Sequence, residues 1–349
     1  MKDATVDIFD GLDPQDRIYA TFDDEPNRVE MSLEHHMVWT KGDYLFVYGP
    51  NSCKRYKFDG KTGDREATFT RTNTYTPYDF EVDGYYAVAP YGGRGSANVD
   101  PTRICFFSDT KGTMNQLYNT NSCGSVGDNL VFATSKDGVN FRFKSIMGYL
   151  RVSLTGDKSV KNIELINHSG DNISGRYYFY VDNPDVVYLY SEPAPQSTIL
   201  LDCGSGVKLS AAPTDFYFVV KPMQLTAGIT LCVNFTDGTT FVQSTTKQMT
   251  IKRNTVQPMG VINTSGVEYQ MLGVKYSGTT FEVPTFEGAT SISGYLDFGD
   301  GTTSILSLTE SYDFTDGKQT HTITANVRNA NRVKISSCQG VEQIDLSNF

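Results

Sequence analysis

The chain has 349 residues, a formal net charge of −10, 12% aromatic residues and only 20% charged ones. That length suits two or three domains of roughly 100–150 residues each. An acidic chain with no clustered run of Lys and Arg has no footprint for phosphate, which excludes nucleic acid as an expected partner. No stretch approaches the ~18–20 apolar residues of a membrane-spanning helix.

The 21 Tyr and 21 Phe, with many Thr and Val, favour half-buried pleated strands. Long Ala/Leu/Glu/Lys stretches, the material of helices, are absent. In chain order, short alternating or apolar runs predict strands at 17–22, 44–48, 85–89, 103–107, 139–143, 149–154 and 162–166. They continue at 176–181, 186–190, 198–201, 215–220, 229–235 and 239–243, and two more follow from 332 and over 341–346. Only 110–118 reads as a short helical turn. Asp-Gly pairs at 59–60, 83–84, 137–138, 237–238, 300–301 and 316–317 tolerate the positive φ of tight hairpin turns. The clearest hairpin spans 229–243 around Asp237-Gly238, and another is expected over 79–89 around Asp83-Gly84. The Pro- and Ser-rich segment 191–197 reads as a loop, because strands continue on both sides. Boundaries are placed near 145 and 264, giving domains 1–145, 146–264 and 265–349.

Candidate chemistry is sparse. The six cysteines include no C-x-x-C pair and no zinc spacing, and Cys105 and Cys232 sit in apolar runs that read as buried small hydrophobes. Neighbouring His35 and His36 would point to opposite faces of a strand and share a metal poorly. No H-E-x-x-H, G-x-S-x-G or Walker pattern occurs, and Gly92–Ser96 reads as a flexible loop. Asp297-Phe298-Gly299-Asp300-Gly301 lacks the ligand spacing of a calcium loop and reads as a strand ending in a turn. Paired glycosidase carboxylates need only meet in space, and no pair stands out. No catalytic, cofactor-binding or metal residues are therefore expected, no cofactor is called for, and the chain does not read as an enzyme.

Four stretches, in order over about residues 15–262, carry a resemblance. The first runs from the strand Arg17-Ile18-Tyr19-Ala20-Thr21-Phe22 through Trp39-Thr40-Lys41-Gly42-Asp43 to the strand after it. The second is Gly84-Tyr85-Tyr86-Ala87-Val88-Ala89-Pro90. The third is Tyr149–Gly156 with 160–166 and 173–175, and the fourth is Asp215–Gly228 with its hairpin. Together they resemble the fimbrillin-like proteins, subunits of type V pili and related surface lipoproteins of Bacteroidetes-type bacteria. The resemblance implies an all-β fold with two tandem transthyretin-like, Greek-key β-sandwich domains. It also implies an exported, lipid-anchored precursor at the cell surface, outer membrane or fimbrium, whose leader and anchoring cysteine are not in this sequence. Its partners would be other pilus subunits or host and bacterial surface ligands, protein or glycan, with the membrane reached only through that anchor. Subunits of such pili join by strand donation, for which the edge is expected at Arg17, Ile18, Tyr19, Ala20, Thr21 and Phe22. Arg28 is the candidate for protease processing. Trp39 is expected as a core anchor, with Asp43 bonding turn amides.

Beyond 264, Gly294–Ser304 resembles the strand-turn of PKD-like domains, with Phe298 in place of a tryptophan and His321 in a following strand. This implies a small C-terminal β-sandwich domain and points to an accessory or tip subunit, or a surface adhesin. The alternative is a glycan-binding protein of a nutrient-capture system, stacking sugars on Tyr75–Tyr78 or Tyr85–Tyr91. Cross-strand packing is the other reading of those tyrosines.

Overall fold

A computed structural model describes residues 16–22, 38–49, 52–75, 84–89, 103–107, 115–118, 130–191, 195–266, 269–288, 292–300, 302–306, 309–336 and 339–349. Among them there is no α-helix, and the chain is all-β. The first strands are β1 (Arg17–Phe22), β2 (Tyr44–Gly49), β3 (Ser52–Phe58), β4 (Glu66–Tyr75), β5 (Tyr85–Ala89), β6 (Arg103–Phe107), β7 (Gln116–Leu117), β8 (Val131–Ser135) and β9 (Asn140–Ser145). Next come β10 (Gly148–Thr155), β11 (Ser159–Asn167), β12 (Arg176–Tyr180), β13 (Asn183–Leu189), β14 (Thr198–Lys208), β15 (Thr214–Val220), β16 (Met223–Leu225), β17 (Ile229–Phe235), β18 (Thr240–Thr245), β19 (Met249–Ile251) and β20 (Val256–Asn263). The last are β21 (Gln270–Ser277), β22 (Thr280–Glu282), β23 (Thr285–Glu287), β24 (Ser293–Asp297), β25 (Thr303–Ile305), β26 (Ser311–Asp313), β27 (Thr320–Arg328), β28 (Arg332–Lys334) and β29 (Val341–Asn348).

Strands β1-β4-β3-β2-β5-β8-β9 close into a barrel, a sheet joined at both edges. Its interior is aromatic, with Trp39, Tyr56, Phe58, Phe69, Phe141 and Phe143 buried among small residues such as Ala87 and Ala89. The second module is a sandwich. Sheet β15-β10-β20 faces sheet β18-β17-β11-β14-β7 across a core that includes Leu150, Val152, Ile163, Leu165, Phe216 and Phe218. In the third, sheet β25-β24-β27-β21-β29 and two small ribbons cover Leu272, Leu296, Phe298, Phe314 and Ile323.

Strand pairing crosses residue 145. β6 pairs with β12, and β7 pairs in parallel with β14. The helical turn expected over 110–118 is therefore replaced at Gln116–Leu117 by a strand. Gln116 explains why: its buried amide donates to the Val219 carbonyl at 2.7 Å and accepts from the Val219 amide at 2.8 Å. One side chain thus does the work of a neighbouring strand.

The sheet β13-β12-β6 is wedged against the barrel. Tyr177, Phe179 and Val187 on its inner face meet Tyr48, Tyr86, Val88 and Phe132 from the barrel's outside. At the joint, Arg253 Nε donates to the Ser145 carbonyl at 2.9 Å and Asn254 Oδ1 accepts from the Ser145 amide at 2.9 Å. A Cβ on Gly148 would lie 2.4 Å from the Lys252 carbonyl oxygen. The third module docks on the second through Ile166, Cys232, Val242 and Ile305. There the edge strand β18 gives its Val242 amide to the Tyr269 hydroxyl at 2.7 Å.

Candidate functional site

The strand that closes the barrel is the best candidate site. Alternation along β1 turns Ile18 and Ala20 inward, and both are fully buried. Phe22 stacks on Trp39 with centroids 4.6 Å and planes 24° apart. Trp39 is itself fully buried and meets Phe69 and Phe143 edge-on at 4.8 and 5.3 Å. It is the core anchor expected, and Asp43 Oδ2 accepts from the Thr40 amide at 2.7 Å to hold the turn after it.

On the outer face, Tyr19 donates its hydroxyl to Glu66 Oε2 at 2.5 Å, and Asp16 pairs with Arg71. The hydrogen bond to Glu66, then burial, pushes the Tyr19 phenol up to about 12. These contacts fasten β1 to β4. On the other side, the Tyr19 amide donates to the Val139 carbonyl at 2.8 Å. The turn entering β9 is fixed by Asp137 Oδ1, which accepts from the Ser135 hydroxyl at 2.6 Å and the Val139 and Asn140 amides at 2.8 and 2.9 Å. Burial raises the Asp137 carboxyl, but the hydrogen bonds led by Asn140 outweigh it and hold it well below the usual range.

The topology gives β1 a particular position. β4, β3, β2, β5, β8 and β9 are joined antiparallel, each to the next. β1 alone bridges the two ends, antiparallel to β4 and parallel to β9. Residues 17–22, expected as an edge, are hydrogen-bonded on both sides and present no free edge. Without β1 the barrel would be an open six-stranded sheet. β4 and β9 would then show unpaired main-chain groups on either side of an apolar slot. Arg28 lies outside the described residues, in the segment between β1 and Trp39.

β29 differs. Among the described residues it pairs only with β21, through two register breaks, and leaves Ile344 and Leu346 40% and 50% exposed. Lys275 and Glu342 pair across it at 2.8 Å.

Residues weighed for chemistry fall into structural roles where they are described. Asp297 Oδ1 accepts from the Gly299 amide at 2.9 Å, Asp300 Oδ1 from the Thr302 amide at 2.8 Å, and buried Phe298 stacks on Tyr312 at 3.8 Å. That is the strand-ending turn expected. His321 is buried, stacked on Phe314, and bonded through Nε2 to Asp316 Oδ1 at 2.9 Å. This bond leads in lowering the Asp316 carboxyl to about 2. His168 Nε2 lies 2.7 Å from Thr230 Oγ1. Cys53, Cys203 and Cys232 are buried free thiols, the first two pushed up to about 12 by burial above all. His35, His36, Cys123, the segment 92–96 and the side chain of Cys105 lie outside the described residues. Among the described residues, no group of three or more His, Cys, Asp or Glu could hold a metal, and no helix is long and apolar enough to cross a membrane. A cleft of about 540 Å³ opens beside the joint, walled by Lys144, Lys252 and the Arg253–Asp185 pair, whose atoms are 2.7 Å apart.

Two of the tyrosines expected as an alternative to stack sugars are described, and both pack within the fold. Tyr86 is buried and stacked on Tyr48 at 4.7 Å, and Tyr85 packs over Gly49 and Gly138. Residues 76–78, 90–91 and the Tyr75 side chain lie outside the described residues. The sequence reading missed a different aromatic face, on β12 and β13. Its signal is Tyr177-Tyr178-Phe179-Tyr180, a strand aromatic on both sides.

No family model matches the chain, and no curated protein matches it. Among solved structures, a protein of Bacteroides ovatus provisionally described as a cell adhesion protein is 15% identical, with a TM-score of 0.45. The match covers 71% of this chain and 91% of that one. A protein of Bacteroides uniformis with the same description is 13% identical, with a TM-score of 0.44, over 71% and 92% of the two chains. A fimbrial assembly protein of Parabacteroides distasonis is 10% identical, with a TM-score of 0.24, over 65% and 97%.

Proposed function

We propose that this is a non-catalytic, fimbrillin-like protein of the bacterial surface, in which β1 is an exchangeable strand and the barrel accepts a strand from a partner subunit. One observation carries the reading: β1 alone closes an otherwise continuous antiparallel sheet, and its pairing with β9 is the barrel's one parallel pair. Parallel pairing is slightly weaker per residue than antiparallel. A cut at Arg28 would separate β1 and whatever precedes it from the rest of the chain. The vacated slot would offer two rows of main-chain donors and acceptors and a pocket for alternate apolar side chains. Strand addition uses those elements. The modules would be 1–145, 146–264 and 265–349, the first two tied together by the pairing of β6 and β7 with strands of the second. β29 is already committed to the sheet of the third module, which favours an accessory or tip subunit, or an adhesin, over a shaft subunit. Its setting would be the exported surface or fimbrium, and its partners other subunits or surface ligands.

The test is digestion of the native protein with an arginine-specific protease. Cleavage at Arg28 should leave residues 29–349 compact, with the 1–28 fragment bound until displaced, and Arg28→Ala should prevent release. Collapse of the barrel on cleavage, or long polymers built through β29 without it, would overturn the reading.

A further inference from the structure

The outer face of sheet β13-β12-β6 carries four tyrosines and two arginines that the core does not require. Tyr178 and Tyr188 lie opposite each other in register and stack with centroids 5.0 Å and planes 16° apart. Tyr190 lies 4.7 Å from Tyr178, and Tyr180 meets Tyr178 and Tyr188 edge-on at 5.9 and 6.0 Å. From β6, the Arg103 guanidinium reaches over Tyr178 and Tyr190 at 5.7 and 5.8 Å, while that of Arg176 sits 4.7 Å above Tyr190. None of the four rings is buried, and Tyr188 is 40% exposed. The inner face of these strands already fills the core against the barrel. The solvent face of such a sheet ordinarily carries polar residues.

Arg103 is the informative residue. Its Nε is buried with no hydrogen-bond acceptor, and no carboxylate among the described residues pairs with its guanidinium. The rings hold the cation in place by cation–π attraction without neutralising it. In a chain of net charge −10, the Arg103 guanidinium over two tyrosine rings sets a local positive group on an aromatic face.

We propose that this face binds an acidic carbohydrate. The C–H faces of the sugars would rest on the tyrosine rings, a uronate carboxylate would pair with Arg103, and the tyrosine hydroxyls would bond sugar hydroxyls. A peptide adding as a strand would read a main-chain edge, whereas the groups offered here are rings, hydroxyls and a guanidinium on the face. Nucleic acid is opposed by the net charge. The site deepens the surface-protein reading by naming a ligand class, and it does not depend on strand exchange. Assembly without carbohydrate binding would retire this proposal alone, and binding without assembly would retire only the other.

Titration calorimetry of the full chain with oligogalacturonate and a chondroitin oligosaccharide, against neutral dextran, tests it. Binding to at least one acidic probe and not to dextran is expected, weakening as salt rises. Tyr188→Ala and Arg103→Gln should each lower the affinity by about tenfold or more, and Arg103→Lys should restore only part of it. Because Tyr188 is half exposed, its variant keeps the test decisive should the arginine variant fail to fold. Binding to neither acidic probe, equal binding of dextran, or affinity unchanged in Tyr188→Ala would overturn the proposal.

Discussion

β1 and β29 are both apolar-alternating strands, yet they hold the molecule in opposite ways. β1 is gripped by two neighbours and turns Ile18 and Ala20 into a closed core, with Phe22 against Trp39. β29 has one neighbour, two register breaks and seven of eight residues exposed. What a strand contributes is set by what its alternate residues bury and by how many of its main-chain groups are paired. Because Trp39 is the chain's single tryptophan and lies inside the barrel, its fluorescence reports the β1 side of this comparison alone.

The largest effect should come from the residue β1 closes over. Trp39→Ala should destabilise the barrel by about 3–5 kcal/mol, read by denaturant titration with circular dichroism. Ile18→Ala should cost about 2–5 kcal/mol by tryptophan fluorescence. A cost near zero would mean that β1 does not close the barrel in solution. Gly148→Ala forces a methyl against the Lys252 carbonyl and should cost about 1–3 kcal/mol, loosening the joint between barrel and sandwich.

Two pH windows follow in size. Tyr19 is raised in the folded chain, so its contribution is whole below pH 10 and is lost as the pH rises through about 12. The stability difference between the natural chain and Tyr19→Phe should shrink over that window. Asp316 is lowered, so its support of His321 is present above the ordinary carboxylate range and is lost as the pH falls through about 2. Asp316→Asn should flatten the acid limb of the third module's melting. At the small end, Ile344→Ala on β29 should change stability by no more than about 0.5 kcal/mol. A loss as large as that of Ile18→Ala would erase the contrast between the two strands.

Much of this was legible in the residues. The hairpin around Asp237-Gly238 forms between β17 and β18, with Gly238 at φ 85°. Trp39 is the core anchor its strand context implied. Other features were hidden for physical reasons. β3 and β4 escaped notice because a bulge at Arg55/Tyr56 breaks the alternation and because the outer face of β4 is Thr, Arg and Asn. Of the hairpin expected over 79–89, the second strand forms as β5. β5 pairs with β2 and β8, and the residues before Gly84 lie outside those described. Pairing of β6 and β7 with later strands, like the bond between Gln116 and Val219, depends on contacts between residues far apart in the sequence, which no local pattern encodes. For the candidate site, 17–22 was rightly marked as a strand, but only the topology reveals that it closes a ring. The Tyr178–Tyr190 face went unnoticed because four consecutive aromatics in β12 look like core until the two sides of the strand are separated.

The most direct test of β1 as the exchangeable strand is peptide uptake by protein cleaved at Arg28 and stripped of its first fragment. A labelled peptide of residues 13–28 should bind and restore the Trp39 melting transition. The same peptide carrying Ile18→Asp, or one of residues 339–349, should do neither. Failure of the first peptide to bind, or equal uptake of the β29 peptide, would contradict the account.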